Sequence, residues 1–137
     1  MLNDLRILVV DDDTSLLEVV ATYLESNGHT VHSCESGEEA LDAMRDQEFD
    51  LVLSDVAMAG LNGFELLRAI RGLYPDIGFV LMTAYEKQFP LSKALEAGAD
   101  GYLSKPFTLK KLSLIFEQAY WNALSRSDWW DAHTVGK

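Results

Sequence analysis

Apolar residues fall along this chain in two rhythms. Short runs, RILVV (6–10), TVHSC (30–34), LVLS (51–54), FVLM (79–82) and GYLS (101–104), alternate with longer amphipathic stretches near 14–27, 37–47, 63–73, 86–97 and 108–123. The short runs have strand character and the longer ones helical spacing. The first, third and fourth runs are apolar almost throughout, as strands buried on both faces are, and such strands belong to parallel sheets covered by helices. The pattern is therefore βα five times over, an α/β doubly wound sheet. Local signals agree with the boundaries. Ser36 with Glu39 fits a capping box ahead of Ala40, Leu41 and Met44; Gly28 and Gly98 follow helical runs; Thr108 is placed to cap the last helix. Phe107, Leu109, Leu112 and Phe116 share a helical spacing that predicts core.

A sheet of this kind binds ligands beyond the carboxyl ends of its strands. The polar residues at those ends are Asp11 and Asp12 after the first run, Asp55 after the third, Thr83 after the fourth, and Lys105 with Pro106 after the fifth. Three carboxylates, a hydroxyl and an ammonium thus converge on one edge. Two like charges about 4 Å apart cost roughly 4 kcal/mol at an effective dielectric near 20, so such a cluster implies a compensating cation. Oxygen ligands suit hard ions, Mg²⁺ first and Mn²⁺ in its place. Asp55 is then placed to attack phosphorus and form an acyl phosphate, with Lys105 and Thr83 on the phosphoryl oxygens. This chemistry is positioning and charge neutralisation. It gives no part to His29, His32 or His133.

Composition narrows the class. With 137 residues, 48% of them hydrophobic, the chain is the size of one domain with a real core. Its net charge of -11 argues against direct nucleic-acid or anionic-membrane binding. A single cysteine, Cys34, permits no internal disulfide and no CxxC site, and is expected to be a buried bystander. The start lacks a signal-peptide pattern, and no apolar run approaches the roughly 20 residues of a membrane helix, so the expected setting is cytoplasmic.

The segments ILVVDDD, LVLSDVAMAGLNGFELL, VLMTAY and GADGYLSKPF, in that order and spacing, resemble the receiver domain of bacterial two-component response regulators over residues 5 to 122. The resemblance implies a flavodoxin-like (βα)5 fold with strand order 2-1-3-4-5. It implies that a histidine kinase, a phosphotransfer protein or a small phosphodonor passes a phosphoryl group to Asp55. Mg²⁺ would be held by Asp12, Asp55 and the Ala57 carbonyl, and through water by Asp11. It further implies that Thr83 and Ala84 meet the phosphoryl group beside Lys105, that Tyr102 swings inward, and that Lys105–Pro106 is cis. The signal would leave through the face of the fourth helix, fifth strand and fifth helix, toward an output domain or protein. Such a domain catalyses only its own phosphorylation and dephosphorylation. Asp13 lies outside the acid pair and is expected at a helix N-terminus, favoured by the macrodipole.

Two departures stand out. The family loop D-x-x-M-P reads DVAMA here, with Ala59 for proline, which loosens the backbone beside the Ala57 carbonyl. Ala57 and Tyr85 occupy positions that tune acyl-phosphate hydrolysis in the family. Among other readings, DDDTS partly fits the haloacid dehalogenase-type phosphatase pattern, with Asp11 as nucleophile and Asp13 as acid/base, but the late acidic pair and cap domain are missing. A phosphorylation-independent binding module would commonly lose an acid, the acceptor or the lysine, and all are present. A flavodoxin-like electron carrier would need a hydroxyl- and amide-rich loop after the first strand. Residues 1–123 are expected to be the receiver domain and 124–137, with Trp129 and Trp130, a tail or the start of a linker.

Overall fold

The computed structural model describes residues 4–134, with side chains through Arg126. The elements are β1 (Arg6–Val10), α1 (Thr14–Ser26), β2 (Thr30–Cys34), α2 (Gly37–Asp46), β3 (Leu51–Asp55), α3 (Gly63–Leu73), β4 (Gly78–Thr83), α4 (Leu91–Glu96), β5 (Gly101–Ser104) and α5 (Leu109–Thr134). The strands form one parallel sheet in the order β2-β1-β3-β4-β5, the order implied by the receiver resemblance.

Successive strand residues face opposite sides, so an apolar run feeds two cores at once. Ile7 and Val9 of β1, Leu51 and Leu53 of β3 and Val80 and Met82 of β4 pack under Leu17, Val20 and Leu24 of α1 and Leu112, Phe116 and Ala119 of α5. On the other face Leu8, Val10, Val52, Phe79 and Leu81 meet Ala40 and Met44 of α2, Leu66, Leu67 and Ile70 of α3, and Ala94 of α4. The register pairs Ile7 with Leu51 and Val10 with Ser54, then Leu51 with Gly78 and Asp55 with Met82. That register sets the carboxyl ends of β1, β3 and β4 side by side. Cys34 is buried, and burial, with the Glu39 charge behind it, pushes its thiol up to about 11. It is an inert core residue, as expected.

Caps fix the helix starts. Ser36 Oγ accepts the Glu39 N–H at 3.1 Å, while Glu39 Oε2 accepts the N–H of Glu35 at 2.8 Å, one residue earlier than a capping box requires. The reciprocal box instead forms at α3, where Asn62 and Glu65 bond each other's main chains at 2.9 Å in both directions. Thr108 Oγ1 accepts the Lys111 N–H at 3.1 Å, capping the start of α5. Gly28 and Gly98 close their helices at φ 91° and 94°, a region costly for any residue with a Cβ.

Three expectations need correction. The fourth helix, expected over 86–97, spans only Leu91–Glu96. Pro90 at its N-cap disfavours helical geometry in Phe89, and the preceding residues make a separate turn on the Tyr85 carbonyl. Leu109, expected in the core with Leu112 and Phe116, is 38% exposed. It sits in the first turn of α5, in a groove beside Val19 and Tyr23 of α1 rather than over the sheet. The last helix, expected to end at 123, runs on to Thr134, so the segment set apart as a tail begins within α5. The side chains of Trp129, Trp130 and His133 lie outside those described.

Candidate functional site

The end of β1 continues its pairing for one more residue: the Asp11 N–H donates to the Cys34 carbonyl at 3.1 Å, and this carries the Asp11 side chain inward to full burial. Its two oxygens are both engaged. Oδ1 accepts the Asp13 N–H at 2.9 Å and Oδ2 accepts Lys105 Nζ at 2.6 Å. Asp55 closes β3, fixed from behind by the Val56 N–H on the Met82 carbonyl at 2.9 Å. Gly63 packs on the same main chain, where a methyl group would come within 2.9 Å of Val56 Cα. Lys105 Nζ lies 3.4 Å from Asp55 Oδ1, so one ammonium serves two carboxylates. Lys105 is held through its own N–H on the Thr83 carbonyl at 2.8 Å, ahead of a cis Lys105–Pro106 peptide.

Asp12 points outward, yet one oxygen each of Asp11, Asp12 and Asp55 lie within 4.8 Å of one another. At such a separation each like-charged pair costs about 3 kcal/mol at an effective dielectric near 20. The consequence falls on Asp55. Burial first, then the Asp11 charge and to a smaller degree that of Asp12, raise its carboxyl to about 6 against the opposing charge and hydrogen bond of Lys105. Burial works against the Lys105 ammonium, but its hydrogen bond to Asp11 and the charges of Asp11 and Asp55 prevail and hold its pKa above the ordinary value. Three carboxylates with one ammonium leave an excess of two negative charges. An all-oxygen donor set with that excess fits a hard divalent cation.

The remaining site residues are more dispersed. Thr83 is buried and its Oγ1 accepts the Tyr85 N–H at 2.9 Å, while Ala84 is exposed beside Lys105. Tyr102, half-buried on β5, donates its hydroxyl to the Phe89 carbonyl at 2.7 Å. The two hydroxyls thus have separate main-chain partners. Ala57 and Tyr85 are both exposed at the rim. Asp13 is the N-cap of α1, its Oδ1 accepting the Ser15 and Leu16 N–H groups at 3.1 and 3.2 Å. That role leaves it unsuited as a free acid/base, and Asp11, with both oxygens engaged, is unsuited as a nucleophile, which argues against a phosphatase reading of DDDTS.

Two polar contacts escaped the sequence reading. Glu38 of α2 reaches the loop after Asp55, accepting the Leu61 N–H at 3.2 Å. Asp100, at the opposite edge of the sheet, pairs with Arg71 and Arg126. The first had a signal in the adjacent acids Glu38 and Glu39, only one of which the start of α2 needs. The second had none, because its partners are 29 and 26 residues away.

Comparison with known proteins meets this geometry. A family model described as the response regulator receiver domain matches residues 7–117. The transcriptional regulatory protein ZraR of Escherichia coli K12 is 40% identical over 117 residues, 85% of this chain and 26% of that protein. The chain therefore spans about a quarter of that relative's length. A CheY-like response regulator receiver domain protein of Methanospirillum hungatei superposes with a TM-score of 0.83 at 29% identity, over 90% of this chain and 99% of that one. The response regulator TrrA of Thermotoga maritima, solved in complex with Mg²⁺ and BeF, gives 0.75 at 33% identity, covering 83% and 97%.

Proposed function

The chain belongs to the response regulator receiver domain family, and from that premise we propose that Asp55 is its phosphoacceptor. The observation that carries this is the convergence of Asp11, Asp12 and Asp55 within 4.8 Å, with Lys105 bridging Asp11 and Asp55. One carboxylate oxygen of Asp55 attacks phosphorus on the phosphorylated imidazole of a partner kinase or phosphotransfer protein, or on a small acyl phosphate. The bond from phosphorus to the donor breaks as the acyl phosphate forms, and the donor leaves with the electron pair. Asp12, Asp55 and the Ala57 carbonyl would hold Mg²⁺, with Asp11 acting through water. The ion supplies charge neutralisation between the phosphoryl oxygens and the carboxylates.

The protein's own residues do the rest. Lys105 places a point charge beside the acceptor oxygen, and Asp11 keeps that ammonium in position. The Thr83 hydroxyl and the exposed Ala84 N–H side of the β4–α4 loop receive phosphoryl oxygens. Thr83 then exchanges its bond to the Tyr85 N–H for one to the phosphoryl group, and Tyr102 gives up the Phe89 carbonyl as it moves inward. To carry the population from 1:99 to 99:1, phosphorylation must favour the active arrangement by about 5.5 kcal/mol. The changed surface is that of α4, β5 and α5, which we assign to an output domain or protein. Ala57 and Tyr85 flank the path of the hydrolytic water and set the acyl-phosphate lifetime.

The domain acts in signalling, catalysing only its own phosphorylation and dephosphorylation. We assign residues 1–123 to the receiver unit and 124–137 to a tail or linker start, the first residues of which still belong to α5, with Arg126 paired to Asp100. No helix among the described residues is long and apolar enough to cross a membrane, which accords with a cytoplasmic setting. Incubation with Mg²⁺ and acetyl phosphate, followed by intact mass and borohydride trapping, tests the assignment. One phosphoryl group on Asp55, absent without Mg²⁺, is the expected result; labelling of Asp11, or of a chain carrying Asp55→Asn, overturns it.

A further inference from the structure

We infer that Glu38 of α2 is a positioning residue for the loop that carries the Ala57 carbonyl, an inference resting on the receiver reading above. The loop runs from Val56 to Asn62. Its far end is closed by the Gly63 N–H on the Val56 carbonyl at 2.9 Å and by the Asn62–Glu65 cap. Met58 and Leu61 pack against the core from its middle, but the backbone between them has little conformational constraint of its own. Ala59 stands where the family pattern has proline, and Gly60 adopts φ 74°, so two of its residues restrict the backbone weakly.

The constraint comes instead from α2. Glu38 Oε2 accepts the Leu61 N–H at 3.2 Å and lies directly over Gly60, where a methyl group would come within 2.8 Å of that oxygen. A methyl on Gly37 would come within 3.0 Å of the Leu61 Cβ and carbonyl oxygen, so the first turn of α2 lies flush against the loop. The two neighbouring acids divide the work. Glu39 turns back onto the Glu35 N–H, while Glu38 crosses to the loop. As the second residue of α2, Glu38 also sits where a carboxylate is favoured by the unpaired N–H groups of the helix start. A proline would restrict this backbone covalently; here a carboxylate from the neighbouring helix adds the restriction through a hydrogen bond.

Glu38→Ala and Glu38→Gln both remove the charge, but only glutamine keeps an acceptor oxygen. In Glu38→Ala the Leu61 amide should exchange roughly three to ten times faster, and the Mg²⁺ concentration giving half-maximal thermal stabilisation should rise by a similar factor. Glu38→Gln should stay close to the parent in both. Gly60→Ala, which pushes a methyl against the same oxygen, should move both readouts in the direction of Glu38→Ala. Unchanged exchange and Mg²⁺ midpoint in Glu38→Ala overturn the inference, and equal losses in the alanine and glutamine variants do so by tracing the effect to charge. Should the parent show neither an Mg²⁺ response nor an adduct at Asp55, the receiver reading fails, while Leu61 exchange still decides whether Glu38 holds the loop.

Discussion

Two charged clusters built around buried carboxylates occupy opposite edges of one sheet, and they are balanced in opposite ways. At the edge where β4 and β5 begin, Asp100 accepts the Phe79 N–H at 2.9 Å and Arg71 Nη2 at 2.6 Å, and is paired with Arg126. Arg71 reaches on to the Gly98 and Ile77 carbonyls, and Asn122 caps the Asp100 carbonyl at 3.0 Å. One carboxylate there has two guanidinium groups. The unit ties α3 and α5 to the start of β5. At the other edge Lys105 is shared by Asp11 and Asp55 with Asp12 close by, and Asp55 is pushed up to about 6. A cluster neutralised from within holds the fold together; a cluster left short of positive charge is prepared for a cation and a phosphoryl group from outside.

Removing one carboxylate at each edge is the strongest way to break that contrast. Asp55→Asn should abolish labelling by acetyl phosphate. Without divalent cations it should also raise stability, by about 1–3 kcal/mol at pH 7, because the folded state no longer holds an under-compensated charge. Asp100→Ala should lower stability by about 3–5 kcal/mol, since it strands Arg71 and Arg126, while the folded fraction still labels on Asp55. Urea unfolding of both variants gives the signs. If Asp55→Asn destabilises, or if Asp100→Ala abolishes labelling of folded protein, the two edges are not divided as described.

Mg²⁺ sharpens the same comparison. At about one hundred times its dissociation constant it should stabilise the parent by about 2.7 kcal/mol, and this gain should vanish in Asp12→Ala. Arg126→Ala, at the other edge, should lose stability yet keep the whole Mg²⁺ increment. A calorimetric titration with and without Mg²⁺ on the three chains separates the cases. Retention of the increment in Asp12→Ala would remove that residue from the ion's ligands.

The functional edge was legible in the sequence for a reason that does not extend to the structural one. Asp11, Asp12, Asp55, Thr83 and Lys105 each follow an apolar run, and parallel strands bring all run ends to one side. A local pattern thus carries long-range information. Asp100 also borders a strand, but its meaning depends on Arg71 and Arg126, which lie on helix faces where arginine is ordinarily solvated. The short α4 was obscured differently: helical spacing continues through Glu86 and Phe89, and the backbone restriction imposed by Pro90 overrides it. Leu109 followed the right period, but its turn lies beyond the sheet that the period was taken to face.

The smallest expected effect lies at the structural edge and has the opposite pH sign to that of Asp55. His29 is 7% exposed, packs tilted against Phe116 with ring centroids 5.1 Å apart, and accepts the Leu5 N–H on Nδ1 at 3.2 Å. Only a neutral imidazole can accept there. Burial lowers its pKa despite the nearby Asp4 charge. Its contribution to stability is therefore present above the unfolded value near 6.5 and is lost as pH falls through the lower folded value. Asp55 behaves in reverse. Its folded pKa is raised from 3.8 to about 6, so its protonated form favours the fold at low pH, and that contribution is lost as pH rises between these values. Measured in the Asp55→Asn background, where the opposing slope is gone, His29→Gln should remove about 1 kcal/mol of the stability lost between about pH 7 and pH 5, because glutamine accepts the same N–H without titrating. An unchanged slope in that variant would mean that His29 takes up its proton equally in the folded and unfolded chain, and would remove it as a source of acid sensitivity at this edge.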